Sequence, residues 1–185
     1  MVGSVAALAI SIFLRQHDLV QVQWVFLSSE TRSTPARRST LREHRGVTQE
    51  LSAARIERLR FDRLLVIVGG GALDVALLGE LAGGGAGPVG ADGGGDAIHA
   101  AGLVPDAIIG DLDSLSRRQG WPDTTRILRV SEQITVDFEK ALYSTAAPLT
   151  VALGMTGGRL DHTLAAMDAL ARQARNRPVI MVDGE

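Results

Sequence analysis

From Phe61 onward, short apolar runs rich in β-branched residues alternate with stretches of helical spacing, and no other feature so narrows what the chain can become. The pattern predicts strands over 64–68, 89–92, 107–109, 126–130, 149–153 and 179–182. Between them, Leu73, Ala76, Leu77 and Leu81 recur at helical spacing, and 83–88 reads as a breaker cluster. A short helix is predicted up to Ala101, another over 137–144, and a third over 161–175. In the last of these, Leu160, Leu164, Met167, Ala171 and Ala174 form one apolar stripe, expected to face the core. Continuous apolar runs joined by helices make parallel strands buried on both sides. The expected fold is therefore α/β, a Rossmann-like open, mostly parallel sheet with helices on both faces. Such sheets bind ligands beyond the carboxyl ends of their strands, so the residues just after each run are where chemistry should lie.

The first sixty residues follow a different pattern. Val20, Val22, Trp24 and Phe26 alternate like a strand, 28–49 is rich in Ser, Thr and Arg, and 50–60 has helical spacing. No chemistry is legible there, and residues 1–60 are expected to be a poorly ordered or extraneous extension to a catalytic unit over 61–185. Charge divides at the same place. Residues 1–60 carry nine Arg and five acids, whereas 61–185 carry ten basic groups and sixteen acids. An acidic unit is a poor nucleic-acid binder. It would also repel a nucleotide unless a divalent cation intervened. Without cysteine, disulfides, thiolate metal sites and cysteine nucleophiles are excluded. No run reaches the ~18–20 apolar residues that span a bilayer, so the expectation is a cytoplasmic protein without membrane partners.

Carboxylates follow the predicted strands in three places. Gly110-Asp111-Leu112-Asp113-Ser114 sets two acids two residues apart. On an extended segment both would face one cation, while as a turn the same residues need no ligand. Asp137 and Lys140, the chain's only lysine, lie three apart and share a helix face. By itself that pair reads as a surface ion pair. Gly157-Gly158-Arg159-Leu160-Asp161-His162 puts two glycines, a guanidinium and an acid where a helix begins. Glycine amides and Arg159 suit phosphate oxygens, and His162 reads as a packing residue. Together, four acids with Lys140 and Arg159 are what a magnesium–nucleotide site requires. A dinucleotide fingerprint at 69–74 fails, because its third glycine is Asp74.

With Ala91-Asp92-Gly93-Gly94 added, these motifs in this order resemble the thiamine pyrophosphokinase family over about Phe61 to Asp183. The family carries Ala-Asp-Gly-Gly, Gly-Asp-x-Asp-Ser, Thr-Asp-x-x-Lys and Gly-Gly-Arg-x-Asp-His segments. The resemblance implies transfer of a pyrophosphoryl group from Mg-ATP to the hydroxyl of thiamine, giving thiamine diphosphate and AMP. It implies Asp111, Asp113, Asp137 and Asp161 as the catalytic acids, the first three as Mg2+ ligands. It further implies Asp92, Gly93, Gly94, Lys140, Gly157, Gly158 and Arg159 around the nucleotide, and a homodimer at full length.

The chain departs from the family pattern twice. Ile134 and Val136 stand where the family has an acid and a threonine, and the sequence ends at Asp183-Gly184-Glu185, where a β-rich thiamine-binding domain is expected to begin. Two other readings therefore stay open. One is a non-catalytic nucleotide-binding module of the same fold, and the other a related pyrophosphokinase with a different acceptor, such as a pterin alcohol.

Overall fold

The computed structural model describes residues 59–116, 120–173, 177–182 and 184. The α/β alternation is realised as a six-stranded, wholly parallel sheet. In chain order the elements are β1 (Leu59–Arg60), β2 (Leu65–Val68), α1 (Val75–Gly83), β3 (Gly87–Ala91), α2 (Gly94–Ala100), β4 (Ala107–Gly110) and β5 (Arg126–Arg129). They continue with α3 (Asp137–Ser144), β6 (Thr145–Ala146), β7 (Thr150–Leu153), α4 (Leu160–Gln173) and β8 (Val179–Met181). The strand order is β5-β4-β3-β2-β7-β8. The chain thus steps outward from β2 to β5, then crosses back to lay β7 on the other side of β2. Between β2 and β7 the order reverses, and a ligand crevice is expected at their carboxyl ends. Among the described residues no helix is long and apolar enough to cross a membrane.

Side chains of the central strands alternate between two cores. Leu65 and Ile67 pack with Phe138, Ala141 and Leu142 of α3 and with Ala166, Ala169 and Leu170 of α4. Val66 and Val68 face the other way, onto Leu77 and Leu78 of α1 and Ile98 of α2. All four β2 side chains are fully buried, which is why that strand reads as an unbroken apolar run. Close packing of α2 depends on glycine. A Cβ on Gly94 would sit 1.8 Å from the Val68 carbonyl oxygen, so this helix lies almost on the backbone of β2.

The structure corrects the sequence reading at four places. Strand β3 starts at Gly87, inside the expected breaker cluster. Pro88 is tolerated there because its ring nitrogen points toward β4 before that ladder begins. The first bond on that side is from the Asp106 N–H to the Pro88 carbonyl, at 2.8 Å. The α4 stripe is turned outward: Leu160, Leu164 and Met167 are 72%, 58% and 40% exposed. Two adjacent stripes of α4 are apolar, and the one with small Ala166 and Ala169 allows closer approach to α3 and the sheet. Leu59 and Arg60, expected at the end of a helix, instead form β1 and pair in parallel with β6. Two-residue strands carry no periodicity, so neither was visible in the sequence. His162, read as a packing residue in preference to a base, is exposed at the start of α4 and borders the cleft at the sheet's carboxyl end. The strand, linker and most of the helix expected before Leu59 lie outside the described residues.

Two helices differ at their N-termini. Asp74 caps α1, its Oδ1 accepting the Leu77 N–H at 2.9 Å. Val136 occupies the same position on α3 and makes no side-chain capping bond. Val136→Thr is expected to stabilise the protein by about 1 kcal/mol in urea unfolding, by capping the first turn. Gly94→Ala is expected to cost about 3 kcal/mol in the same assay, through its clash with β2. Gly79→Ala, where an added Cβ meets nothing within 4 Å, should instead stabilise by roughly 0.5–1 kcal/mol.

Candidate active site

The segments leaving β3 and β4 and the first turn of α3 converge at the carboxyl end of the sheet. Asp92 follows β3 directly, is buried, and adopts a left-handed backbone with φ of 46°. Its Oδ2 accepts the Ser114 N–H at 3.0 Å, and its buried Oδ1 has no hydrogen-bond partner among the described residues. Asp111 follows β4. Its Oδ2 receives Gln133 Nε2 at 3.0 Å and Lys140 Nζ at 3.3 Å, and its Oδ1 receives the Asp113 N–H at 3.2 Å. Asp137 opens α3 and binds Lys140 Nζ at 2.9 Å.

Asp111 and Asp113 are brought together differently from the extended arrangement expected. Leu112 has φ of 67°, so the two acids meet across a tight turn closed by the Asp113–Asp111 bond. A non-glycine residue in that region is strained, by roughly 1–3 kcal/mol where the surroundings hold it there. Gly110 makes the convergence possible. A Cβ there would lie 2.9 Å from Asp92 Cβ and 3.0 Å from Asp137 Oδ1. One carboxylate oxygen from each of Asp92, Asp111 and Asp113 lies within 4.8 Å of the others. The sequence grouped Asp137, not Asp92, with Asp111 and Asp113, but in the structure Asp137 is turned to Lys140.

Lys140 is the only cation within this cluster among the described side chains that contact it, and it is 1% exposed. Burial alone would depress its pKa. Hydrogen bonds and attraction from Asp137 and Asp111 outweigh that and raise it. Burial likewise tends to raise Asp111, but the bonds from Gln133, the Asp113 amide and Lys140 bring it below the usual carboxylate range. Asp92 goes the other way: burial lifts it, and the negative charges of Asp137 and Asp111 add to the rise.

These groups border a cleft of about 670 Å3, within the range of sites for small organic ligands. Its floor is the crevice between β2 and β7. There the Gly69 N–H bonds the Leu153 carbonyl at 2.8 Å, and the Gly71 N–H bonds that of Gly154 at 2.8 Å. Asp92, Gly93, Asp111, Asp137, Lys140, Gly158 and Arg159 all reach the cleft wall. Gly94 and Gly157 do not: Gly94 packs on β2, and an added Cβ on Gly157 would meet Ala72 Cβ at 2.3 Å. Asp161 turns away to accept Arg159 Nε at 3.0 Å, and this exposed pair holds the Asp161 carboxyl below its ordinary pKa. His162, on the helix that follows, borders the cleft. Sequence reasoning missed Gln133 and the Gly69–Gly71 floor as site elements. Only the glycine run carried a signal, because three glycines after the first strand of a doubly wound sheet lie at its switch point.

The chain matches the family model described as thiamin pyrophosphokinase, catalytic domain, over residues 87–182. It is similar to the crystal structure of thiamin pyrophosphokinase from Geobacillus thermodenitrificans, with 31% identity and a TM-score of 0.54, covering 65% of this chain and 59% of that one. The thiamine pyrophosphokinase structure from Bacillus subtilis is 23% identical with a TM-score of 0.51, covering 64% and 60%. For thiamin pyrophosphokinase from Candida albicans the values are 16% and 0.52, covering 69% and 62%. At those identities the last two bear on the fold alone. No curated protein matches the chain by sequence. The chain spans about three fifths of the length of these solved structures. The family match takes in β3 to β8, more than half of the chain and all the acids that converge at the sheet's carboxyl end, so the chain belongs to the thiamin pyrophosphokinase catalytic-domain family.

Proposed function

We propose that the chain carries the Mg-ATP half of a thiamine diphosphokinase. In this reading the hydroxyl oxygen of thiamine attacks the β-phosphorus of ATP, and the bond from that phosphorus to the α,β-bridging oxygen breaks. AMP leaves, and the hydroxyl proton is released to water. The observation that carries this is the meeting of Asp92, Asp111 and Asp113 beside a buried lysine, the first two and the lysine lining the cleft and Asp113 exposed next to it, in a chain of this family. The donor set fits Mg2+. All three ligands are hard carboxylate oxygens, and Asp92 Oδ1 is buried with free lone pairs. Magnesium held there would offset charge on the phosphates during transfer.

The chain's own residues divide the remaining work. Lys140 bonds Asp111 and Asp137 and so holds both carboxylates in place while offsetting part of their charge. Arg159 is exposed on the cleft wall and can leave Asp161 to grip a phosphate oxygen pair. Gly70 and Gly158 border the cleft with no neighbour within 4 Å of where a Cβ would stand, which leaves their backbone open to close approach by the nucleotide. Transfer of this kind depends on positioning and charge stabilisation, which such an arrangement supplies.

The direct test is AMP release from Mg-ATP by this chain, with and without thiamine. Thiamine-dependent AMP supports the reading, whereas magnesium-dependent ATP binding without AMP would favour a nucleotide-binding module. Asp111→Asn and Asp113→Asn should each abolish turnover while leaving the circular dichroism spectrum unchanged. Unchanged turnover in both would remove the metal assignment.

A second expectation concerns Asp92. Its raised pKa means that the metal-free fold holds this proton more tightly than the unfolded chain does. That contribution is full in acid and lost as pH rises through the folded value. Asp111, with its lowered pKa, contributes in the opposite sense: its stabilisation is lost as pH falls. Asp92→Asn should therefore raise the melting temperature of the metal-free protein at neutral pH, because a buried charge is gone. The same variant should lose the further rise that Mg2+ gives the wild type. A variant still stabilised by Mg2+ would show that Asp92 is no ligand.

A further inference from the structure

Glu132 lies outside every motif, on the exposed loop between β5 and α3. Its carboxylate nevertheless collects four donors. Oε2 accepts the N–H groups of Ile134 at 2.7 Å and Thr135 at 3.0 Å, while Oε1 accepts the Tyr143 hydroxyl at 3.0 Å and also the Thr135 hydroxyl. Three of these bonds fold the loop onto itself, and the fourth straps it to the far end of α3. Apolar burial anchors only the ends of the loop, where Val130 and Val136 pack against the core. Ser131 and Gln133 are exposed, and Ile134 is 82% exposed at the cleft rim. Burial tends to raise the Glu132 pKa, yet the donors outweigh it and keep the group ionised. Tyr143 is pushed up to about 12, by burial first and then by its bond to Glu132, so its proton stays in place as a donor.

The next residue gives this loop its consequence. Gln133 donates to Asp111 Oδ2, the same oxygen that Lys140 reaches. We propose that Glu132 is a positioning residue of the metal site: it fixes the loop so that Gln133 holds the Asp111 carboxylate in register with Asp92 and Asp113. The inference rests on the metal reading above and adds to it a residue that contacts neither metal nor substrate. A simple loop staple would affect stability alone. A positioning residue must affect metal affinity through Gln133.

The test is Mn2+ binding to the full chain, read by electron paramagnetic resonance without ATP or thiamine, beside urea unfolding of each variant. Glu132→Ala should raise the Mn2+ Kd about tenfold, as removal of groups behind a metal ligand commonly does. Gln133→Ala should do the same. The double variant should bind no more weakly than Gln133→Ala alone, because both act on one contact. Glu132→Gln should bind within about twofold of wild type, since its oxygen can accept both amides while its NH2 donates to both hydroxyls. If Glu132→Ala does not fold, Tyr143→Phe removes only the strap to α3. It should weaken Mn2+ binding when Gln133 is present and not when it is absent. Wild-type affinity in Glu132→Ala, or losses that add in the double variant, would overturn the inference. So would equal effects of Tyr143→Phe with and without Gln133. A wild-type chain that binds no Mn2+ would remove the metal reading and this inference together.

Discussion

Carboxylates gathered at one point repel, and the site exists only because something holds them there. Two unit charges ~4 Å apart cost about 4 kcal/mol at an effective dielectric near 20. Asp92, Asp111 and Asp113 come within that order of separation, and Asp137 lies with Asp92 against Gly110, each about 3 Å from where its Cβ would stand. Lys140 is the counterweight. It is buried, bonds both Asp111 and Asp137, and so joins the end of β4 to the first turn of α3. One lysine does not balance four acids. The deficit is visible in Asp92, whose burial and negative neighbours raise its pKa, and it is relieved when a divalent cation supplies the missing charge. In the proposed reading, affinity for Mg2+ and a penalty in the metal-free fold share one cause.

The fold supplies the geometry that this balance requires. In a wholly parallel sheet every strand delivers its carboxyl end to the same edge, so loops far apart in sequence meet without long excursions. Glycine then removes the bulk that would keep them apart. Gly110 leaves room for both Asp92 and Asp137 where a Cβ would otherwise stand, and Gly94 lets α2 start flush against β2. These are backbone-level contacts. Asp92 and Asp137 are therefore positioned by the core, while Asp113 sits on the exposed turn after β4 and Asp111 depends also on the loop that carries Gln133.

The sequence disclosed what periodicity and motif order can carry. Strands β2, β4 and β7 were legible because a strand buried on both faces is an apolar run, and α3 because its pattern begins at Asp137. Orientation within α4 was not legible, since two neighbouring apolar stripes satisfy the same spacing and only packing against α3 chooses between them. Asp111 and Asp113 were visible as a pair, but the αL conformation of Leu112 that brings them together was not. Such a conformation is imposed by the surrounding fold and not by local preference. Gln133 carried no signal, because one amide in a polar loop looks like any other until its partner is known.

Val136 and Ile134, the two residues that depart from the resemblance ahead of Asp137, have different physical weight. Val136 removes a helix cap, and nothing local replaces its hydrogen bond. Of the acids in the first turn of α3, Asp137 is turned to Lys140 and Glu139 to Arg172. The cost there is stability, on the scale of a capping bond. Ile134 removes a negative charge from the rim of a cleft that already holds more acid than Lys140 offsets. An acid at that position would offer another oxygen to a cation, but it would also deepen the repulsion that burdens the metal-free fold. With Ile134 exposed and its backbone N–H held by Glu132, the loop keeps its shape without that charge. On the proposed metal reading, a site arranged in this way would give up one outer contact to the cation while retaining the three acids nearest one another, where the electrostatic demand for positive charge is greatest.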